Sequence, residues 1–211
     1  MTASLQRLRE ETDMKTVVTA LVVVLLAASA MALGLGDGIP MGDVKMKNVD
    51  GNEVSIAAVK GAKGTLVVFT CNHCPYARAW EGRLAELGNT FQTRGIGVIL
   101  INSNDAAEYE EDSFENMQVR AAKLGLKVPY VVDATSDVAR AFGAGKTPEI
   151  YLFDAAGKLV YQGTVDDNAE KPEAVTKTYL RDALTAVVAG QVPEVQQTKA
   201  LGCSIKFRSK A

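Results

Sequence analysis

The sequence predicts a single α/β domain with a central mixed β-sheet flanked by helices and an N-terminal β-hairpin extension. Continuous apolar runs at residues 65–70 and 97–101 are typical of parallel strands buried on both faces. Segments with helical periodicity separate these runs, which favours alternating strands and helices. A length of 211 residues fits one domain with extensions, and an apolar content of 47% supports a core.

The predicted order is β-β, then β-α-β-α-β-α, then β-β-α. Residues 44–49 alternate, Asp50-Gly51-Asn52 makes a turn and residues 53–56 return, which indicates a hairpin. One apolar stripe predicts the helix after the first buried strand: Ala77, Trp80, Leu84, Leu87 and Phe91. Further helices are predicted at 114–124, at 136–142 and from Pro172, and further strands at 128–132, 149–153 and 159–162. Asp112 and Glu115 have capping-box spacing before the second helix.

The N-terminus resembles an export signal. Lys15 precedes an uncharged apolar run over residues 17–32, and Ala28-Ser29-Ala30 offers a cleavage site. The start could equally lie at Met14, and an uncleaved membrane anchor over residues 16–36 is the alternative. We therefore expect a signal at 1–32, a domain at 42–190 and a tail at 191–211. Export places the chain in the periplasm or outside the cell, where disulfides form.

Charge and cysteine content narrow the function. A net charge of −2 gives no indication of nucleic acid or an acidic membrane surface as partner. Three cysteines are too few for a disulfide scaffold, and they fit one reactive pair plus Cys203.

The pair lies in Cys71-Asn72-His73-Cys74, directly after the first buried strand. A helix start favours negative charge, so Cys71 is expected to ionise below the usual pKa of about 8.5. We expect Cys71 to act as an exposed nucleophile and Cys74, one turn into the helix, to resolve the mixed disulfide. The alternatives are a structural disulfide and half a metal site, although a four-thiolate zinc site needs a second cysteine pair.

Other residues could support this chemistry. His73, the only histidine, would stabilise the Cys71 thiolate, or be an exposed spacer, or bind copper with both sulfurs. A cis bond at Thr147-Pro148 would leave the Thr147 backbone free to pair with a substrate chain, whereas a trans proline would merely open a strand. Cys203 is either a second resolving cysteine that reaches Cys71 or a passive thiol under the tail.

Several segments carry a family resemblance. They are VVFTCNHCPY at residues 67–76, INSND at 101–105, YEEDS at 109–113, and Thr147-Pro148-Glu149 followed by LFD at 152–154. Together they resemble the peroxiredoxin-like branch of the alkyl hydroperoxide reductase/thiol-specific antioxidant (redoxin) superfamily. The resemblance implies a thioredoxin fold, a redox-active pair at Cys71 and Cys74, and a cis-proline at Pro148.

The chain also departs from that family. Neither cysteine of the pair has the Pro-x-x-x-Thr-x-x-Cys context of true peroxiredoxins. Lys146 stands where relatives often have a cysteine, and Thr65 stands where thioredoxin has a buried aspartate. The missing Pro-x-x-x-Thr-x-x-Cys context argues against efficient peroxidase chemistry. Because Thr65 replaces the aspartate, water is the default proton acceptor for Cys74.

These observations predict an exported thiol–disulfide oxidoreductase. Its substrate would be a disulfide in a protein or a small thiol, and an upstream redox partner would recycle it. No organic cofactor is implied, because the electrons reside in the sulfurs. The alternatives are a thiol-dependent peroxidase, a copper or zinc chaperone, and a non-enzymatic binding module.

Overall fold

The computed structural model describes residues 33–209. The predicted signal at 1–32 lies outside this range, as does nearly all of the alternative anchor at 16–36. Within the described range, none of the helices combines the length and apolar character needed to cross a bilayer.

The described residues form nine strands and four α-helices. The strands are β1 (Met46–Asn48), β2 (Glu53–Val54), β3 (Gly64–Phe69), β4 (Ile96–Asn102), β5 (Tyr130–Val132), β6 (Lys146–Thr147), β7 (Glu149–Asp154), β8 (Leu159–Gly163) and β9 (Cys203–Ser204). The helices are α1 (Pro75–Gln92), α2 (Phe114–Leu124), α3 (Asp137–Phe142) and α4 (Tyr179–Val188).

Seven of these strands form a mixed sheet in the order β2-β1-β5-β4-β3-β7-β8. Strand β3 is parallel to β4 and antiparallel to β7, so it lies in the interior of the sheet. All residues of β3 and β4 are buried, which explains their uninterrupted apolar sequence. The predicted mixed sheet, its hairpin β1–β2 and the interior position of β3 are confirmed.

Side chains of β3 alternate between two apolar layers. Leu66 and Val68 face the layer that contains the apolar sides of α1, α2 and α4. Val67 and Phe69 face the layer covered by α3. Helices therefore cover both faces of the sheet, and α1 begins close to the carboxyl end of β3.

One predicted helix start and one predicted helix cap differ from the structure. Pro172 begins a short 3-10 turn, Pro172–Ala174, and α4 starts only at Tyr179. Proline is tolerated at the first position of a 3-10 turn as well as of an α-helix, so Pro172 did not show where α4 begins. Asp112 does not cap α2, because Ser113 is the N-cap and its hydroxyl accepts a hydrogen bond from the Asn116 N–H.

The folded unit extends beyond the expected 42–190 domain at both ends. At the amino end, the Gly36 N–H donates to the Leu159 carbonyl, and Gly38 forms a bridge with Lys158. At the carboxyl end, β9 pairs with β6 in a separate two-stranded sheet. The residues after 190 are therefore part of the fold around the dithiol.

Candidate active site

The dithiol lies in the connection between β3 and α1. Cys71 comes two residues after the end of β3, Cys74 is the N-cap of α1, and Pro75 is the first helical residue. The sequence placed Cys74 one turn inside the helix, which is wrong because the helix starts after it. The positive end of the helix dipole therefore lies at Cys74 rather than at Cys71.

Thr147 lies against both sulfurs. The Thr147–Pro148 bond is cis, as the resemblance implied. The Thr147 hydroxyl oxygen lies 3.2 Å from Cys71 Sγ, and its carbonyl oxygen lies 3.0 Å from Cys74 Sγ. Buried Thr147 thus offers Cys71 a hydroxyl, which can donate or accept a hydrogen bond, and offers Cys74 a carbonyl oxygen, which can only accept one.

The two thiols titrate as a pair. The pKa of Cys71 is raised far above its usual value because its thiol donates to Cys74, because it is buried, and because the Asp112 carboxylate lies nearby. The hydrogen bond from Cys71 lowers the pKa of Cys74 to about 4, with help from Cys203 against the opposing effect of burial. These two directions favour a state in which Cys71 keeps its proton and Cys74 carries the negative charge.

This result corrects the expectation that Cys71 alone would have the lowered pKa. However, the hydrogen-bond partners at the site also fit the opposite protonation state, in which Cys74 keeps the proton and Cys71 is the thiolate. A proton on Cys74 can be donated to the Thr147 carbonyl, while the Thr147 hydroxyl donates to a Cys71 thiolate. Cys71 is buried rather than exposed as expected; it retains 5% of its surface and Cys74 retains none, so Cys71 is the more accessible of the two to an incoming disulfide.

A buried carboxylate organises the loop between the cysteines. Asp112 Oδ1 accepts from the Asn72 N–H at 2.6 Å and from Asn102 at 3.2 Å. Asp112 Oδ2 is paired with His73 Nδ1 at 2.6 Å and accepts from Asn104 at 2.8 Å. His73 also stacks on Tyr109, with ring centroids 4.3 Å apart. These contacts fix the imidazole beside Asp112.

The Asp112 network was not predicted from the sequence. Its cue was the polar segment Asn102–Asn104 at the carboxyl end of β4, which is adjacent to the carboxyl end of β3. Polar residues at the ends of neighbouring parallel strands meet at one edge of the sheet. Asp112 itself gave no such cue, because its spacing to Glu115 also fitted a helix cap.

The C-terminal tail occupies the edge expected for a substrate. Cys203 in β9 pairs with Thr147 in β6, so the Thr147 backbone faces the chain's own tail. The Cys203 N–H donates to Cys74 Sγ at 3.4 Å. Cys203 was expected to reach Cys71 or to stay passive, but it contacts Cys74.

Three side chains of this site could also share a metal ion. Ligand atoms of Cys71, His73 and Asp112 lie within 4.8 Å of one another. The copper site considered from the sequence used His73 and both sulfurs, whereas in the structure Asp112 replaces Cys74 as the third ligand. A thiolate, an imidazole and a carboxylate together suit a zinc ion.

Comparison with known proteins agrees with this architecture. Residues 36–162 match the AhpC/TSA family. The chain belongs to the AhpC/TSA family. A protein named thiol-disulfide oxidoreductase ResA, from Geobacillus thermodenitrificans, is 25% identical over 128 residues, which are 61% of this chain and 68% of that protein.

Two solved structures support the fold. An uncharacterized conserved protein from Geobacillus kaustophilus is 39% identical with a TM-score of 0.79, over 85% of this chain and 95% of that one. The thioredoxin domain of a thiol-disulfide oxidoreductase from Bacteroides vulgatus is 24% identical with a TM-score of 0.52, over 63% of this chain and 90% of that domain. The predicted thioredoxin fold and redoxin superfamily are confirmed.

Proposed function

We propose that this chain is a thiol–disulfide oxidoreductase whose redox couple is Cys71–Cys74. One observation carries the proposal: Thr147, the residue before the cis-proline, places its hydroxyl 3.2 Å from Cys71 Sγ and its carbonyl oxygen 3.0 Å from Cys74 Sγ. The similarity to a protein named thiol-disulfide oxidoreductase supports the same reaction class. The substrate would be a disulfide of a protein or a small thiol.

The reaction starts from the monoanion. As Cys71 attacks a substrate disulfide, its proton passes to the Cys74 thiolate, and the first substrate thiolate leaves. Cys74 then gives this proton to the departing thiolate and attacks Cys71 Sγ, which breaks the mixed disulfide. The enzyme dithiol is oxidised to a disulfide, and the substrate disulfide is reduced to one thiol and one thiolate, which takes its proton from water. No outside base is required.

Thr147 and Asp112 position these steps. The Thr147 hydroxyl is placed to stabilise negative charge on Cys71 while its carbonyl accepts a proton from Cys74. Asp112 holds the Asn72 N–H and the His73 ring, so the loop between the cysteines keeps its shape during the exchange.

Single-thiol variants test the assignment of roles. We would prepare Cys71-only protein (Cys74→Ala with Cys203→Ser) and Cys74-only protein (Cys71→Ala with Cys203→Ser), with Val119→Ala as a surface control. Oxidised glutathione should form a mixed disulfide faster with Cys71-only protein, because Cys74 is fully buried. Equal rates, or faster reaction of Cys74-only protein, would overturn the roles. Failure of wild-type protein and the Val119→Ala control to reduce insulin would contradict the activity.

Export is a further part of the proposal. The apolar run at 17–32 after Lys15 supports a cleaved signal and an oxidising compartment, where disulfide substrates occur. Amino-terminal sequencing of the protein secreted by an expressing bacterium should begin near residues 30–33. A protein that retains Met1 or Met14 and fractionates with the cytosol would contradict it.

Metal binding is a second candidate, favoured by the cluster of Cys71, His73 and Asp112. Its weakness is that both Asp112 oxygens already accept two hydrogen bonds each. Zinc titration of the reduced protein against a chromophoric chelator tests it. Binding at micromolar affinity or tighter that is lost in Asp112→Asn would support a metal chaperone, and its absence would refute one.

A further inference from the structure

The C-terminal tail holds a third thiol against the dithiol. The described neighbours of Cys203 include Cys74, to whose Sγ the Cys203 backbone N–H donates at 3.4 Å. Cys203 is partly exposed, whereas Cys71 and Cys74 are buried. The three cysteines form one small cluster with Ala77.

This contact follows from several anchors that hold the tail in place. The Ile205 N–H donates to the Gly145 carbonyl at 3.0 Å, and the Ile205 side chain is buried in the core. The Lys206 N–H donates to Asn104 Oδ1 at 2.8 Å, and the Lys206 carbonyl accepts from the Asp105 N–H at 2.7 Å. Cys203 is therefore held at the site by the residues after it.

Gly202 shows how closely the tail approaches the residue before the cis-proline. A Cβ added at Gly202 would lie 2.2 Å from the Thr147 carbonyl oxygen, which is backbone and cannot move aside cheaply. Residue 202 must therefore lack a side chain for β9 to pair with β6. The tail lies along the Thr147 edge as a tethered substrate strand would.

We propose that Cys203 is a third redox thiol, which attacks the Cys71–Cys74 disulfide and forms a Cys74–Cys203 disulfide. The inference rests on the proposed dithiol chemistry. A bond forms between Cys203 Sγ and Cys74 Sγ, the Cys71–Cys74 bond breaks, and Cys71 leaves as a thiolate that takes up the proton lost by Cys203. No electrons are gained or lost, so the chain stays oxidised by two electrons while Cys71 becomes free again.

The charges around Cys203 favour this step in the oxidised chain. Burial raises the pKa of Cys203 to about 11, and contact with Cys74 and its charge adds to this effect. Lys206 and Lys146 act in the opposite direction. When Cys74 is in a disulfide its charge is absent, while both lysines still favour the Cys203 thiolate. The new disulfide would then offer the partly exposed Cys203 sulfur to an external dithiol reductant.

The experiment is disulfide mapping of Cys71→Ala protein. The purified chain would be equilibrated in glutathione redox buffers, quenched with acid, alkylated and mapped by mass spectrometry. A cross-linked peptide containing Cys74 and Cys203 is expected, with loss of both free thiols. Free thiols or separate glutathione adducts, in buffers that oxidise the Cys71–Cys74 pair of wild type, would overturn the proposal.

Two further variants separate this inference from the proposed function. Cys74→Ala retains Cys71 and Cys203 and should give no internal cross-link, because Cys203 contacts Cys74. In the double variant Gly202→Ala with Cys71→Ala, the yield of the Cys74–Cys203 link should fall at least several-fold. The single variant Gly202→Ala should still form the Cys71–Cys74 disulfide. An unchanged yield would contradict the role of the tail. If wild type forms the Cys71–Cys74 disulfide but Cys71→Ala forms no link, the inference fails alone; if wild type forms no disulfide, the proposed function fails.

Discussion

Asp112→Asn is the most informative change at this site, because it removes a buried charge with little change in shape. The Asp112 carboxylate is one of the causes that raise the Cys71 pKa, and the two groups lie within 4.8 Å. At that separation two unit charges interact by about 3.5 kcal/mol at an effective dielectric constant of about 20. This energy corresponds to roughly 2.5 pKa units before screening.

The expected shift is smaller, since the hydrogen-bond donors around the Asp112 carboxylate offset part of its charge. We expect the Cys71 pKa to fall by about one unit or more, which means about tenfold more thiolate wherever the thiol is mostly protonated. The sign is unusual for a variant of a buried site. Loss of Asp112 should make Cys71 more acidic, although it also leaves hydrogen-bond donors of the loop without their acceptor.

The assay is alkylation by iodoacetamide as a function of pH. It is best done in Cys71-only protein, where the coupling to Cys74 is absent. The inflection should move to lower pH in Asp112→Asn and stay in place in the exposed Asp50→Asn control. An unchanged inflection, or one at higher pH, would refute the assignment of Asp112 as the charge that opposes Cys71 ionisation.

Three other predictions follow from the same contacts. Cys71→Ala removes the main hydrogen-bond donor to Cys74, so the Cys74 pKa should rise from about 4 towards its ordinary value. Alkylation rates measured against pH would show this rise, and a pKa still near 4 would contradict the pairing of the two thiols. Lys206→Met removes a charge that favours the Cys203 thiolate, so formation of the Cys74–Cys203 link should slow several-fold at neutral pH, and an equal rate would argue against this charge effect. Trp80→Ala empties a fully buried position and should lower the free energy of unfolding by about 3–5 kcal/mol, measured by urea denaturation; a loss below about 1 kcal/mol would contradict the described core.

Local sequence patterns predicted most of the fold. The apolar stripe of α1 and the bounds of α2 at residues 114–124 agree with the structure. Uninterrupted apolar runs identified β3 and β4, because both strands are covered on two faces. Pro172 misplaced the last helix, since its ring fits the first position of a 3-10 turn as well as that of an α-helix.

The chemistry of the site was less accessible from sequence. The positions of Cys71 and Thr147 follow from strand ends, which the sequence showed, whereas the helix start was predicted too early, so Cys74 is the N-cap rather than a residue of the first turn. The pairing of Cys203 with Thr147 was not, because β9 has two residues within an aperiodic tail. Asp112 fitted a helix-capping pattern locally, yet tertiary contacts turn its carboxylate towards His73 and the loop.

The single proton shared by Cys71 and Cys74 is the claim on which this account depends. Ultraviolet thiolate absorbance of the fully reduced wild-type protein, followed from acid to alkaline pH, tests it most directly. We predict one thiolate per chain at neutral pH, with a midpoint near the Cys74 pKa of about 4, and a second ionisation only at high pH. Absorbance that stays at the baseline until the pH approaches the usual cysteine value of about 8.5 would contradict the account.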